Sequence, residues 1–317
     1  MPKASPSRAL RHKPPADNLH RRNRYHHAPP DFDQLGRQYP EFAQCLTKVP
    51  SRRPTLDFRD PTKVRMLARA LLKADFDLDV QIPAQSLCPM IPGRLDYIHC
   101  IEDLMGLCDP LQQGQVPVRG LDIGTGASCI YPLLACRLHS SWHFLATDTH
   151  LPSVDVARVN VARNGLSDRI AVTHSHDPNV KLPLDMTTAS ANRPRFDFCM
   201  CNPPYYRDEI EMADLQNAKP NLPPTTLPGQ PHELMTQGGE QQFVTGLIDE
   251  SWQARGVITW YTSLIGRSTT LAPLTQYLTA LGMTNYAIAE LCPSRTRRWV
   301  LIWTFGLQRI VSKVGEL

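Results

Sequence analysis

From Val116 onward, short apolar runs alternate with stretches whose apolar positions recur at helical spacing. This pattern predicts βα units and a mainly parallel sheet. The first run, Val118 to Ile123, ends at Gly124, and Ile130, Leu133, Leu134 and Leu138 after it share one helical face. A second strand is predicted over His143 to Thr147, closed by Asp148. A helix over 152–163 follows, with Val154, Ala157 and Val161 on one stripe and Asn164-Gly165 as its stop signal. Strands over Arg169 to Thr173 and Phe196 to Cys201 come next, the latter running straight into Asn202-Pro203-Pro204-Tyr205. The segment 205–237 carries five prolines after Tyr206 and is expected to be a long loop. Helices near 240–254 and 271–281 and strands near 257–264, 285–291 and 299–305 bring the expected sheet to seven strands. Upstream, 36–106 reads as a helical extension, with helices at 62–73 and 95–105 separated by a loop from Pro83 to Pro92. The expected division is an arm over 1–35, the extension over 36–106, an α/β domain over 107–307 and a tail over 308–317.

Composition changes the picture in two places. The longest apolar run, Cys129 to Cys136, is far too short for a membrane-spanning helix. The nine cysteines contain no CxxC pair and fall largely inside apolar segments, which points to buried thiols and against a disulfide framework or a metal site. Charge is uneven: the net +4 of the 317 residues is concentrated in residues 1–27, which hold seven Lys/Arg, Arg21, Arg22 and Arg24 among them, against a single acid, Asp17. A flexible arm for a nucleic-acid backbone is built this way. A transit peptide or a solvated tail would share the charge, but Pro6, Pro14 and Pro15 break the long amphipathic helix that a transit peptide needs.

Three elements carry chemistry. Asp122-Ile123-Gly124-Thr125-Gly126-Ala127-Ser128 closes the first strand, where glycines permit a sharp turn and exposed N–H groups favour anionic oxygens. Asp148 closes the second strand, where an acid can accept hydrogen bonds from ribose hydroxyls. Together they outline a nucleoside-containing cofactor across the carboxyl ends of a parallel sheet. Asn202-Pro203-Pro204-Tyr205 closes the fourth strand. The Asn202 side-chain oxygen and the next backbone carbonyl can accept both hydrogens of a planar exocyclic amine, and Tyr205 can stack on a base held out of its helix.

These residues resemble those of class I S-adenosylmethionine-dependent amino methyltransferases. Within that class, the strings Leu121 to Leu134, Phe198 to Pro204, Arg22 to Tyr25, Pro29 to Phe32, Arg94 to His99 and Gly238-Gly239-Glu240 are similar to the family of methyltransferase-like protein 16 and its bacterial large-subunit ribosomal RNA relative. The resemblance spans roughly residues 20–305. It implies an α/β, class I (Rossmann-like) fold, S-adenosylmethionine as cofactor and transfer of a methyl group to N6 of an unpaired adenosine in structured RNA, with U6 spliceosomal small nuclear RNA and a nuclear, secondarily cytoplasmic, location expected. Large-subunit ribosomal RNA, a protein glutamine amide and an RNA-binding scaffold stay open as alternatives. No metal and no membrane partner are expected.

Residue by residue, the resemblance implies cofactor contacts from Arg94, Asp122, Gly124, Gly126, Ser128, Asp148 and Asn202, with Arg94 on the methionine carboxylate. It implies catalytic roles for Asn202, Pro203, Pro204 and Tyr205. RNA contacts are expected from Arg21, Arg22, Arg24, Tyr206, Arg207, Arg295, Arg297 and Arg298. Tyr205 and Tyr206 stand where animal members carry Phe, and Asp148 where they carry Glu. The loop 207–231 is less basic than in the family, and the vertebrate carboxyl-terminal RNA-binding region has no counterpart in these residues. His99 is assigned no acid–base role, because displacement at a sulfonium needs no strong base.

Overall fold

The computed structural model describes residues 19–50, 53–108, 117–182, 196–217, 229–292 and 297–306. The expected mainly parallel seven-stranded sheet forms from β1 (Val118–Ile123), β2 (Trp142–Asp148), β3 (Ile170–His174), β4 (Phe196–Cys201), β5 (Ile258–Ile265), β6 (Tyr286–Leu291) and β7 (Arg298–Trp303). Their order across the sheet is β3-β2-β1-β4-β5-β7-β6, parallel except at β7, which runs antiparallel to both its neighbours. Strand order reverses between β1 and β4, and in open parallel sheets the crevice beyond that switch is where ligands bind.

The major helices are α1 (Pro61–Phe76), α2 (Ile91–Cys108), α3 (Ile130–Leu138), α4 (Leu151–Arg163), α5 (Glu209–Asn217), α6 (Gly239–Gln253) and α7 (Ser268–Ala280). Side chains alternate across the sheet as the strand period of two demands. Phe198 and Met200 join the core shared with α1 to α4, while Cys199 and Cys201 face the second core under α6 and α7. Both cysteines are buried, as packing residues should be.

Two expectations change. The segment 205–237 is not loop throughout. Its prolines all lie at or beyond Pro220, so the proline-free stretch before them winds into α5, and Pro231–Leu234 adds a short helical turn. The arm is docked, not flexible, from residue 19 onward, and residues 24–27 and 32–38 are helical. Its anchors are acids on α2: Asp96 Oδ1 accepts from His20 N (3.0 Å) and Asn23 Nδ2 (2.6 Å), and Asp103 accepts from Arg22 and lies 3.1 Å from His20 Nε2. Arg24 pairs with Asp75 at 2.8 Å, whose other oxygen accepts from Tyr25 Oη. Residues 1–18 and 308–317 lie outside the described residues. Leu35, Phe42, Leu71, Tyr97, Leu133 and Phe144 belong to one core, so the extension shares its interior with the sheet.

Burial pushes the Asp103 carboxyl up, but His20 and Arg22 more than offset this and hold it below the usual carboxylate range. Asp103→Ala should lower the unfolding free energy by about 1–3 kcal/mol at neutral pH, because it strands the buried His20 ring and removes one carboxylate partner of the exposed Arg22. In denaturant titrations this difference should be full above the ordinary carboxylate range and shrink as pH falls through it, since a depressed pKa contributes stability only while the acid is ionised. An unchanged midpoint at neutral pH would refute the anchoring role.

Candidate active site

The β1–α3 connection is built by its glycines. Gly124 (φ 71°) and Gly126 (φ 64°) adopt left-handed conformations that disfavour a Cβ, and the N–H groups of Gly124 and Thr125 both donate to Thr147 O on β2 at 2.9 Å. Gly126 N donates to Asp148 Oδ2 (2.8 Å), while Asp148 Oδ1 accepts from His150 N (2.9 Å). Asp148 therefore fixes the turn as well as facing the crevice. α3 begins at Ile130, where the apolar helical face read from the sequence starts, behind a left-handed Cys129.

One cavity at the switch point is lined by Arg94, Gly124, Gly126, Ser128, Asp148 and Asn202, with Pro203 and Pro204 beside them. The expected cofactor residues thus converge, except Asp122, which lies buried beneath the turn. Both Asp122 oxygens and the Thr125 hydroxyl lack a partner of full hydrogen-bond geometry, as does Arg94 Nε. Burial and the Asp148 charge push the Asp122 carboxyl up to about 7, against the lowering effects of Thr125 and Arg94. The Arg94 guanidinium donates from Nη1 to Tyr131 Oη (2.6 Å) and lies 5.3 Å from that ring's centre, with no carboxylate within ion-pair distance among the described residues. A partly buried cation at the cavity wall and a buried acid beneath the turn, not ion-paired with each other, suit a zwitterion, because each retains unmet demand for an opposite charge. The residues present therefore fit the amino-acid end of S-adenosylmethionine.

Asn202 follows β4 directly, and Tyr205 Oη donates to its Oδ1. Tyr205 packs on Gly266, where an added Cβ would come within 2.6 Å of the ring, and the Arg298 guanidinium lies 5.5 Å from the ring centre. Tyr206 is stitched to the 234–236 segment by Tyr206 N to Leu234 O (3.0 Å) and Thr236 N to Tyr206 O (2.9 Å). Arg207 is exposed and pairs with Asp208 at 2.9 Å. The other residues expected at RNA are not gathered here. Arg22 and Arg24 line a separate groove with Asp75, Phe76, His99 and Arg137, while Arg297 pairs with Glu290 at 3.3 Å. Arg21 is exposed, and Arg295 lies outside the described residues.

Sequence reasoning missed several members of the site. Tyr131 supports Arg94. Glu233 Oε2 accepts from Leu87 N (3.0 Å) and Gln230 N (2.8 Å), tying the extension to the segment beside Gly126. His232 stacks on His150 at 3.9 Å. Tyr97 Oη accepts from Cys201 N (3.3 Å) and bonds Thr262 Oγ1 (2.7 Å), just before Asn202. The Gln-Pro-x-Glu pattern at 230–233 was a readable helix-start signal, but no local signal marks the others.

Comparison with known proteins places this geometry. A family model described as RNA methyltransferase matches residues 14–306. The chain is 41% identical over 294 residues to the RNA N6-adenosine-methyltransferase METTL16 of Gallus gallus, covering 91% of this chain and 51% of that protein. It is 38% identical over 306 residues to the U6 small nuclear RNA (adenine-(43)-N(6))-methyltransferase of Caenorhabditis elegans, covering 92% and 63%. The chain thus spans only part of the length of these relatives. Among solved structures, the human Mettl16 catalytic domain in complex with MAT2A 3′UTR hairpin 1 superposes with a TM-score of 0.83 at 38% identity, covering 93% of this chain and 98% of that one. The N-terminal domain of human METTL16 in complex with SAH gives 0.74 at 38% identity, covering 91% and 99%. The chain therefore belongs to the RNA methyltransferase family that includes METTL16.

Proposed function

We propose that the chain is an S-adenosylmethionine-dependent RNA adenine-N6 methyltransferase acting on an unpaired adenosine in structured RNA, with U6 small nuclear RNA as its target and the nucleus as its place of action. The observation that carries this reading is the meeting, in one crevice, of Asn202-Pro203-Pro204 with Arg94, Asp148 and the Gly124–Ser128 turn, beneath which Asp122 lies buried without a partner of full hydrogen-bond geometry. The relatives named for N6-adenosine and U6 methylation support the reaction and the target.

S-adenosylmethionine supplies a methyl group made electrophilic by its sulfonium. Arg94 would hold the carboxylate of its amino-acid end, with Asp122 beneath the turn as the counter-charge to the ammonium, while Gly124, Gly126 and Ser128 would line that end and Asp148 would take the ribose. Asn202 Oδ1 has two lone pairs, of which Tyr205 occupies one. The other, with the Pro203 carbonyl, accepts the hydrogens of the adenine amine. Such acceptors raise electron density on a weakly nucleophilic nitrogen, and their fixed placement supplies most of the acceleration. We assign the domain to 107–307, with Arg298 and Tyr206 beside the bound base. The arm's role rests on its charge. Because His20, Arg22, Asn23, Arg24 and Tyr25 are engaged by Asp96, Asp103 and Asp75, the arm's charge toward RNA is assigned to residues 1–18.

Three outcomes follow. Incubation with labelled S-adenosylmethionine and RNA containing U6, followed by nucleoside mass spectrometry, should yield N6-methyladenosine, and Asn202→Ala should lose about 100-fold or more in rate. Label on protein glutamine instead of nucleoside would overturn the reading. In calorimetry, S-adenosylhomocysteine should bind more tightly as pH rises from 5.5 to about 7, by up to about tenfold per unit, because ligand-free Asp122 must release its proton to meet an ammonium. Asp122→Asn should bind weakly with no such slope, and a wild type insensitive to pH would remove Asp122 from the site. Deletion of residues 1–18 should weaken RNA binding and flatten its salt dependence while leaving S-adenosylhomocysteine affinity unchanged; a loss of that affinity would refute the separation.

A further inference from the structure

We infer that Arg267, at the junction of β5 and α7, is a positioning residue for the catalytic corner, an inference that rests on the methyltransferase reading. Its guanidinium reaches three things at once. Nη2 donates to Tyr205 O, Nη1 pairs with Glu211 Oε1 at 2.6 Å, and the group lies 5.7 Å from the centre of the Tyr206 ring. Glu211, on α5, uses its other oxygen to accept from Arg207 N at 2.6 Å. One Arg–Glu pair therefore fixes the consecutive residues 205, 206 and 207.

The anchor behind Arg267 is equally specific. Glu240 is buried and accepts from Gly266 N, holding the backbone immediately before Arg267. Gly266 in turn is the floor on which the Tyr205 ring rests. The Tyr205 hydroxyl reaches Asn202 Oδ1, so displacement of the tyrosine carbonyl at one end carries to the acceptor of the target amine at the other. The Gly238-Gly239-Glu240 string thereby gains a purpose that its sequence does not reveal: it seats the arginine that seats the corner.

Arginine suits this place and lysine does not, because two acceptors and a ring must be met together by a planar fork. The same fork argues against a phosphate contact, since both terminal nitrogens already have partners within the fold. Arg298 differs: its Nη1 donates to backbone carbonyls, Arg297 O at 2.9 Å and Gly266 O at 3.4 Å, and it pairs with no carboxylate among the described residues.

The test compares wild type, Arg267→Lys, Arg267→Gln, Glu211→Gln and the double variant Arg267→Gln/Glu211→Gln. Single-turnover methylation at saturating RNA should fall about 10- to 100-fold in Arg267→Gln, since small misplacements of reacting groups have effects of this size. Affinities for RNA and S-adenosylhomocysteine should stay within about twofold of wild type, the split expected of a positioning group. Arg267→Lys should recover only part of the rate, and the double variant should be no slower than Arg267→Gln. Independently of turnover, amide hydrogen exchange at Tyr206 and Arg207 should quicken by about tenfold or more while the peptide over Gly124–Ser128 is unchanged. Weakened RNA binding with unaltered exchange and unaltered saturated rate would overturn the inference in favour of a phosphate contact. Faster exchange throughout the chain would overturn it in favour of a general loss of fold. Wild type that transfers no methyl group would overturn the functional reading and with it any catalytic meaning of the tie, whatever the exchange shows.

Discussion

Two ionisable groups that form no ion pair, the partly buried Arg94 on α2 and the buried Asp122 at the end of β1, set the terms for the rest of the molecule. A lone charge in a protein interior costs several kcal/mol even after relaxation. Ligand-free protein accommodates Asp122 by favouring its neutral form, which is why its carboxyl is pushed up to about 7. Since the folded state binds that proton more tightly than the unfolded chain, ionising Asp122 subtracts stability as pH rises from the ordinary carboxylate range through 7. A zwitterion bound between the two groups, as proposed, would remove the penalty on both, so that the cofactor's affinity and the fold's stability would draw on the same free energy.

Placing Arg94 there requires α2, and α2 requires the extension. One face of this helix carries Leu95, Ile98 and Ile101 into the core shared with the sheet, and Tyr97 on the same element reaches Thr262 and Cys201. Asp96 and Asp103 receive the docked arm. Because so little of α2 faces water, its apolar positions form no single stripe, and the periodicity located a helix only over 95–105 where one runs from Ile91 to Cys108. Pro92 lies in the first turn, where its missing N–H disturbs no helical bond.

What could be read from the sequence was what is local. The strands Val118–Ile123 and Phe196–Cys201 were legible to the residue because each is a short apolar run cut off by turn-forming residues. The glycine turn, Asp148 and Asn202 were legible because their positions at strand ends have chemical meaning in a parallel sheet. Partners distant in sequence were not. Arg22 and Arg24 read as cations free for RNA until the fold brought Glu102, Asp103 and Asp75 to them. Tyr131 and Arg267 lack any local pattern, and the Gln230–Glu233 pattern marks a helix start but not the bond from Leu87 N, since these roles exist only after distant parts of the chain converge on the crevice. The helix over 209–217 is the exception: Glu209 and Glu211 in its first turn, with no proline until 220, were signals outweighed by the prolines that follow.

The catalytic corner sits where the ladder of the sheet runs out. On the β1 side β4 stays paired as far as Ile123 opposite Cys201, but on the β5 side the register ends at Cys199 opposite Tyr261. Two residues of β4 on that side thus lose their strand partners before Asn202 begins, which lets β4 and β5 separate. Buried backbone groups left this way must be satisfied by something else. Tyr97 accepts from Cys201 N, and Thr262 donates to Cys199 O at 2.8 Å. Beyond Asn202, where no strand remains, Arg267 takes over by bonding Tyr205 O. Side chains thus replace the sheet's own hydrogen bonds step by step as the strands diverge, holding the corner rigid while leaving the Asn202 acceptor directed into the crevice instead of consumed by a neighbouring strand.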